Sequence, residues 1–214
     1  MEINRMIDHT NLKSDATQED IITLINVAKK YHFKTVCLNP MWVKLASSML
    51  ENSDVGVCTV IGFPLGANTS ITKGLEAQEA VASGATEIDM VMNIGALKSK
   101  DYDYVLQDIK EVVEASKPAL VKVIIETCLL SKEEIIKASE LVMAAQAQYV
   151  KTSTGFSHGG ALVEDVQLIK SIVQEQCLIK ASGGIKDYDQ MMDLIKAGAS
   201  RIGTSNGVAL IENK

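Results

Sequence analysis

Three ionisable side chains lie inside stretches that otherwise read as buried strand: Asp89 in Glu-Ile-Asp-Met-Val-Met, Lys151 in Tyr-Val-Lys-Thr-Ser-Thr and Lys180 in Leu-Ile-Lys-Ala-Ser-Gly. Lysine and aspartate are almost never fully buried unless paired, so each needs a partner or a task. A structural ion pair would account for one such residue. Two lysines and an aspartate at equivalent strand positions favour chemistry. An amine attacks a carbonyl only when neutral, and free lysine titrates near about 10.4. Desolvation, or a second cation close by, disfavours the ammonium and brings the amine into range. Lys151 and Lys180 are 29 residues apart. If that interval is one strand–helix unit, they project from neighbouring strands into one pocket. One is then the Schiff-base nucleophile and the other its cationic perturber, with Asp89 as general acid/base. That is the constellation of a class I (metal-free, imine-forming) aldolase or a related lyase.

The elements that must position these groups are legible in the hydrophobic pattern. Short β-branched runs at 5–8, 35–38, 55–61, 87–92, 121–125, 149–152, 178–181 and 201–204 alternate with segments of helical period. Residues 17–31 place Ile21, Leu24, Ile25 and Ala28 on one face, and Ser131 with Glu134 forms a capping box opening a helix over 131–146. Met191, Met192, Leu194 and Ile195 make an apolar stripe near 188–197, which is ordinary helix packing. Gly84 and Gly198, 114 residues apart, each end a helix just before a strand. Eight units of about 27 residues fill the chain, and alternating β and α means a parallel sheet. Eight units favour a closed (β/α)8 (TIM) barrel in one domain over 1–214, with an open doubly wound sheet as the alternative. In such a barrel catalytic groups sit at strand C-terminal ends. The expected occupants are Asp8, Cys37, Asn39, Asp89, Asn93, Glu126, Lys151 and Lys180.

Composition excludes several classes. The 214 residues carry a net charge of −6, 47% hydrophobic and 22% charged residues, with no basic run. Neither nucleic acid nor an anionic membrane surface is an expected partner. The start, MEINRMIDHT, has no apolar core of a signal peptide, and no apolar stretch approaches a membrane span, so a cytoplasmic protein is expected. Cys37, Cys58, Cys128 and Cys177 lack a C-x-x-C spacing and read as reduced thiols. His9, His32 and His158 lie far apart in sequence without a zinc motif, and both common nucleotide-binding glycine motifs are missing.

Three glycine- and hydroxyl-rich loops follow the last three strand candidates. They are Thr152-Ser-Thr-Gly155-Phe-Ser157, Ser182-Gly183-Gly184-Ile-Lys186 and Gly203-Thr204-Ser205-Asn206-Gly207. Small residues let backbone amides approach an anion, and phosphate sites in these barrels follow strands seven and eight. A phosphorylated substrate is the expectation.

The chain resembles the deoxyribose-phosphate aldolase family in ordered segments from about residue 5 to 207. These are Ile7-Asp8-His9-Thr10, Val36-Cys37-Leu38-Asn39-Pro40, Val60-Ile-Gly62-Phe-Pro64-Leu-Gly66, Glu87-Ile-Asp89-Met-Val-Met-Asn93-Ile-Gly95, Lys122-Val-Ile-Ile-Glu126-Thr, Val150-Lys151-Thr-Ser-Thr-Gly155-Phe, Ile179-Lys180-Ala-Ser-Gly183-Gly184-Ile and Arg201-Ile-Gly203-Thr-Ser205. The resemblance implies reversible cleavage of 2-deoxy-D-ribose 5-phosphate to acetaldehyde and glyceraldehyde 3-phosphate, in deoxyribonucleoside catabolism, with no cofactor or metal. It assigns the Schiff base to Lys151, the perturbing charge to Lys180 and the proton relay to Asp89. It also implies substrate contacts at Asp8, Cys37, Thr154, Gly155, Gly183, Gly184, Lys186, Gly203 and Ser205, and a homo-oligomer, dimer or tetramer. Cys37 reads better as a small buried residue than as a nucleophile. Phe156 stands where many members have lysine, Lys186 where arginine is common, and the closing Ala-Leu-Ile-Glu-Asn-Lys has no tyrosine. Two other readings remain: a Schiff-base aldolase for an unphosphorylated aldehyde, and a non-catalytic phosphosugar-binding barrel.

Overall fold

The β-branched runs close into a ring. In a computed structural model, residues 2–212 are described, so the last two residues of the Ala-Leu-Ile-Glu-Asn-Lys end lie outside the described residues. The strands are β1 (Ile7–Asn11), β2 (Thr35–Leu38), β3 (Gly56–Ile61), β4 (Glu87–Val91), β5 (Leu120–Ile124), β6 (Tyr149–Lys151), β7 (Leu178–Ser182) and β8 (Arg201–Thr204). Each pairs in parallel with the next, and β8 pairs with β1, which makes the sheet a closed barrel and not an open one. The strand residues packed in the main core, among them Ile7, Val36, Ile88, Val121, Val150, Ile179 and Ile202, are apolar and buried.

The helices wrap the barrel: α1 (Gln18–Lys30), α2 (Val43–Met49), α3 (Ser70–Ala82), α4 (Ile94–Lys98), α5 (Tyr102–Ala115), α6 (Lys132–Ala144), α7 (Val163–Val173), α8 (Tyr188–Ala197) and α9 (Gly207–Glu212). Ile21, Leu24, Ile25 and Ala28 of α1 are buried, as their spacing predicts. The Ser131–Glu134 capping box at the start of α6 is present in both directions. On α8 the apolar stripe splits: Met191 and Leu194 are buried, while Met192 and Ile195 are half-buried at its margin. Among the described residues no helix is long and apolar enough to cross a membrane.

One strand is displaced from its expected place. Residues 5–8 read as the first strand, but Ile3–Met6 forms a 3-10 turn and β1 begins at Ile7. Arg5 turns away from the sheet, donating to the Phe33 carbonyl at 3.0 Å and pairing with Asp54 at 3.1 Å. The shift changes the depth of a site residue. Asp8 becomes the second residue of β1, low in the barrel, and not a group at the strand's C-terminal end. Asp89 and Lys180 likewise sit at the middle of β4 and β7, whereas Lys151 is the last residue of β6.

Behind β4 the helix layer holds its own charge pair. Lys73 of α3 reaches Asp108 of α5 at 2.5 Å and the Val91 carbonyl at 3.0 Å, with both side chains fully buried. The pair ties two helices to the end of the strand that carries Asp89.

Candidate active site

Side chains alternate along a strand, so every second residue of each strand points into the barrel. In a closed eight-stranded barrel those residues form layers of four from alternate strands. The lowest layer here is Thr35, Glu87, Tyr149 and Arg201, from the even strands. Above it lie Asp8, Cys58, Lys122 and Lys180, from the odd strands. The top layer is Cys37, Asp89, Lys151 and Gly203. Most such barrels fill these positions with branched hydrocarbons. This one fills them with charge.

Asp89 is the hub. Its Oδ2 accepts hydrogen bonds from Lys151 Nζ and Lys180 Nζ, both at 2.7 Å. Its Oδ1 accepts from Lys122 Nζ at 2.8 Å and from Cys58 Sγ at 3.2 Å. Lys180 also pairs with Asp8 at 2.6 Å, and Lys122 with Glu87 at 2.6 Å. Arg201 closes the base, reaching Asp8 at 2.7 Å and Glu87 at 2.9 Å and donating to Tyr149 Oη at 3.2 Å. Thr35 donates its hydroxyl to Asp8 Oδ1 at 2.7 Å. Four cations therefore face three anions, all buried, and one positive charge has no anion of its own.

The electrostatics follow from this packing. Burial works to raise the Asp89 pKa, but Lys122, Lys151 and Lys180 outweigh it and hold the carboxyl well below its usual range. Asp8 is also desolvated yet depressed, chiefly by Lys180, then Lys122 and Arg201. Burial opposes the Lys180 ammonium, and Asp8 and Asp89 overcome that and drive its pKa up. Lys122 is raised well above its ordinary value by the same contest, with Asp89 the strongest favourable partner. Lys180 is thus a fixed cation two bonds' reach from the Lys151 amine. Asp89 is a fixed anion with no proton to give in this state, and it takes one up only when the positive charge around it falls.

Above the top layer opens a cavity of about 490 Å³. Of the four barrel cations only Lys151 lines it. Thr154, Gly155, Gly183, Gly184, Lys186, Gly203 and Ser205 line it too, so the sequence-predicted loops do converge on one space. Gly183 and Gly184 take φ of 83° and 74°, which lets the backbone turn at the rim without a Cβ penalty. Gly203 has a different role from its neighbours. A Cβ there would meet the Lys180 Cε at 3.0 Å, so the missing side chain is what gives Lys180 its passage to Asp89.

Asp8 and Cys37 do not line the cavity; both are fully buried beneath it. Cys37 packs with Leu12, Cys58 and Val60 in a small apolar cluster. Its thiol is pulled below the ordinary value mainly by a hydrogen bond with Cys58, helped by Lys180 against burial. Cys37, Cys58 and Asp89 also bring three potential metal-ligand atoms within 4.8 Å, a convergence that sequence separation hides. The Asp89 oxygens there are already held by three ammonium groups.

Lys122, Glu87 and Arg201 belong to the site, and sequence reasoning did not assign them. The signal was present. Lys122 interrupts Leu-Val-Lys-Val-Ile-Ile just as Lys151 and Lys180 interrupt their strands. Asn39 and Asn93 stand apart from the hub: Asn39 reaches the Lys13 carbonyl at 3.4 Å, and Asn93 caps α4 through the Ala96 amide.

A closed (β/α)8 barrel whose interior is a lysine–carboxylate lattice, opening to solvent at a single amine, defines an enzyme barrel of the aldolase type. A family model described as DeoC/LacD family aldolase matches residues 3–213, and the chain belongs to that family. It is 57% identical over 99% of its length to a deoxyribose-phosphate aldolase of Enterococcus faecalis, covering 96% of that protein. A solved structure from Coccidioides immitis, assigned as a deoxyribose-phosphate aldolase, is 42% identical with a TM-score of 0.98, over 99% of this chain and 85% of that one. A tetrameric deoxyribose phosphate aldolase from Aeropyrum pernix is 34% identical with a TM-score of 0.92, over 99% and 90% of the two chains.

Proposed function

We propose that this aldolase cleaves 2-deoxy-D-ribose 5-phosphate reversibly to acetaldehyde and glyceraldehyde 3-phosphate through an imine on Lys151. The observation that carries the reading is the pair of lysines on one Asp89 oxygen at 2.7 Å each, with only Lys151 open to the cavity. The barrel interior holds one cation more than its anions neutralise. Release of one proton balances the lattice, and the amine that meets substrate is the one at the mouth.

The steps follow from that arrangement. The Lys151 amine adds to the substrate C1 aldehyde, and the carbinolamine loses water to give the iminium. The 3-hydroxyl then gives up its proton, and the C2–C3 bond breaks with its electron pair entering the iminium. Glyceraldehyde 3-phosphate leaves, the enamine takes a proton at C2, and water releases acetaldehyde. Asp89, anionic at rest, receives protons and returns them only after taking one up. Lys180 stays an ammonium and keeps the field around the imine positive. The substrate phosphate is assigned to the Gly183–Gly184 turn, Ser205 and Lys186. Lysine there offers a point charge without the two-pronged geometry of arginine.

The test is intact mass after incubation with acetaldehyde and sodium borohydride, followed by peptide mapping. A gain of one ethyl group on Lys151 is expected. Folded protein without an adduct would remove the imine reading and leave a phosphate-binding barrel. Equal cleavage of the sugar with and without its 5-phosphate would shift the substrate to an unphosphorylated aldehyde.

The protein is further proposed to act in the cytoplasm, in keeping with four unpaired thiols, and as a homo-oligomer. The tetrameric relative supports assembly, as do Met41, Leu65, Ile71 and Leu75, large apolar side chains each more than three-fifths exposed. Light scattering coupled to gel filtration is expected to give a dimer or tetramer mass, and a monomer at micromolar concentration would refute it.

A further inference from the structure

Glu126 is conspicuous in three ways that the imine chemistry does not use. Its backbone is left-handed, with φ 54° and ψ 66°, a conformation uncommon for a residue with a side chain. Its carboxylate is nearly fully buried, with 2% of the residue exposed. Among the described residues it also has no cationic partner, and every hydrogen bond it accepts from the backbone comes from one residue. The Thr154 amide donates to both carboxylate oxygens at 3.2 Å, and the Thr154 hydroxyl donates to Oε2.

Thr154 passes the constraint onward. Its hydroxyl accepts a hydrogen bond from the Phe156 amide at 3.0 Å, across Gly155, whose φ of 84° lets the chain turn sharply between them. Phe156 then stands at the cavity rim, 56% exposed, its ring edge-on to Phe63 with centroids 5.2 Å apart. It lines the same cavity as Lys151. The far end of the chain of contacts is tied to the site as well. The Ile125 amide donates to the Lys151 carbonyl at 3.0 Å and the Thr127 amide to the Thr152 carbonyl at 2.9 Å, so Glu126 is fixed against the strand that bears the nucleophile.

We propose that Glu126 is a positioning residue that acts through Thr154 to hold the Phe156 ring as an apolar wall beside Lys151, and that this wall sets affinity for the carbon chain of the substrate. The proposal rests on the aldolase reading above. The residue type is dictated by the donors it meets. Thr154 presents an N–H and an O–H to the same group, and a carboxylate accepts both. An amide puts an NH2 where a carboxylate oxygen now faces the Thr154 N–H, setting donor against donor and loosening the turn that aims Phe156. A mobile ring no longer excludes water from one side of the bound chain. Acetaldehyde alone is too small to use the wall.

The experiment compares Glu126→Gln, Phe156→Ala and the double variant by KM and kcat for 2-deoxy-D-ribose 5-phosphate, and by borohydride labelling of Lys151 with acetaldehyde. Each single variant is expected to raise KM about tenfold with kcat held within about twofold, the pattern of lost ground-state binding. The double variant is expected to be no worse than Phe156→Ala, because both remove one coupled unit. Labelling is expected at the wild-type rate, because acetaldehyde does not reach the wall. Should Glu126→Gln not fold, Thr154→Val removes the same link and is read in the same way. A wild-type KM in the Glu126 or Thr154→Val variant overturns the proposal, and so do losses that multiply in the double variant. A wild-type protein that neither labels nor cleaves overturns the aldolase reading and the proposal with it, whereas normal labelling with an unmoved KM overturns the proposal alone.

Discussion

Lys151 and Lys180 share a single oxygen of Asp89, and the sharing divides their labour. Lys180 has a second carboxylate, Asp8, and stays protonated; Lys151 has only Asp89 and faces the cavity. Replacing Lys180 by leucine removes one cation from four and leaves three against three anions. Lys151 then loses the cationic neighbour that shares its Asp89 oxygen. Lys180→Leu is therefore expected to move the rising limb of the pH–rate profile upward by about one unit or more and to cut neutral-pH turnover at least about tenfold. A profile superimposable on that of the wild type would refute this role. The same lattice shows how far single residues are legible. Each buried lysine betrays itself as a charge within an apolar strand. Sequence alone does not say which pair shares an oxygen, and it gave no sign that Glu126 would be spent on Thr154. That bond joins loops 28 residues apart and depends on a left-handed turn.

At the scale of elements, the strands matter less as sequences than as depths. Asp8 lies in a run whose first residues look like strand. The 3-10 turn at Ile3–Met6, held by Arg5 on the Phe33 carbonyl and Asp54, pushes β1 along and lowers Asp8 into the middle layer. Local pattern does not carry that displacement, because the partners of Arg5 are 28 and 49 residues away. The α3–α5 contact illustrates a second such case. Lys73 of α3 is fully buried against Asp108 and the end of β4. Lys73→Met leaves the Asp108 carboxylate buried without a counter-ion, which is expected to cost about 3–5 kcal/mol of unfolding free energy. Lys73→Met with Asp108→Leu is expected to recover most of that loss, since replacing both members of a buried pair is far less costly than removing one. Urea denaturation of the two variants checks it, and equal losses in both would contradict the pairing.

For the whole molecule, closure of the barrel puts β1 against β8 and seats α9 over the ring of His9. His9 points outward between the barrel and the helices, 5.1 Å from the Phe33 ring, with Nδ1 buried and, among the described residues, without a hydrogen-bond partner. Burial lowers its pKa from 6.5 to about 4. The fold thus prefers neutral imidazole, while the unfolded chain takes up a proton near the ordinary value. Stability from this residue is complete above about pH 6.5, falls as pH drops through that value, and is gone below about 4, a loss of about 3 kcal/mol. Denaturation midpoints at pH 7.5 and 4.5 are expected to differ more for the wild type than for His9→Gln, and equal differences would refute it. The sequence by itself determined the number and order of strand–helix units, the parallel sheet, the lysines and aspartate within apolar strands, and the glycine loops. Strand and helix number, glycine loops and charges within apolar runs are local or periodic properties, written in burial pattern and turn residues. Only the tertiary structure decided which charges meet. Side chains on β1, β4, β5, β6, β7 and β8 come together because an eight-stranded ring forces every inward residue toward one axis, and the layer each occupies depends on strand register. Register is a property of paired strands, and no single strand contains it.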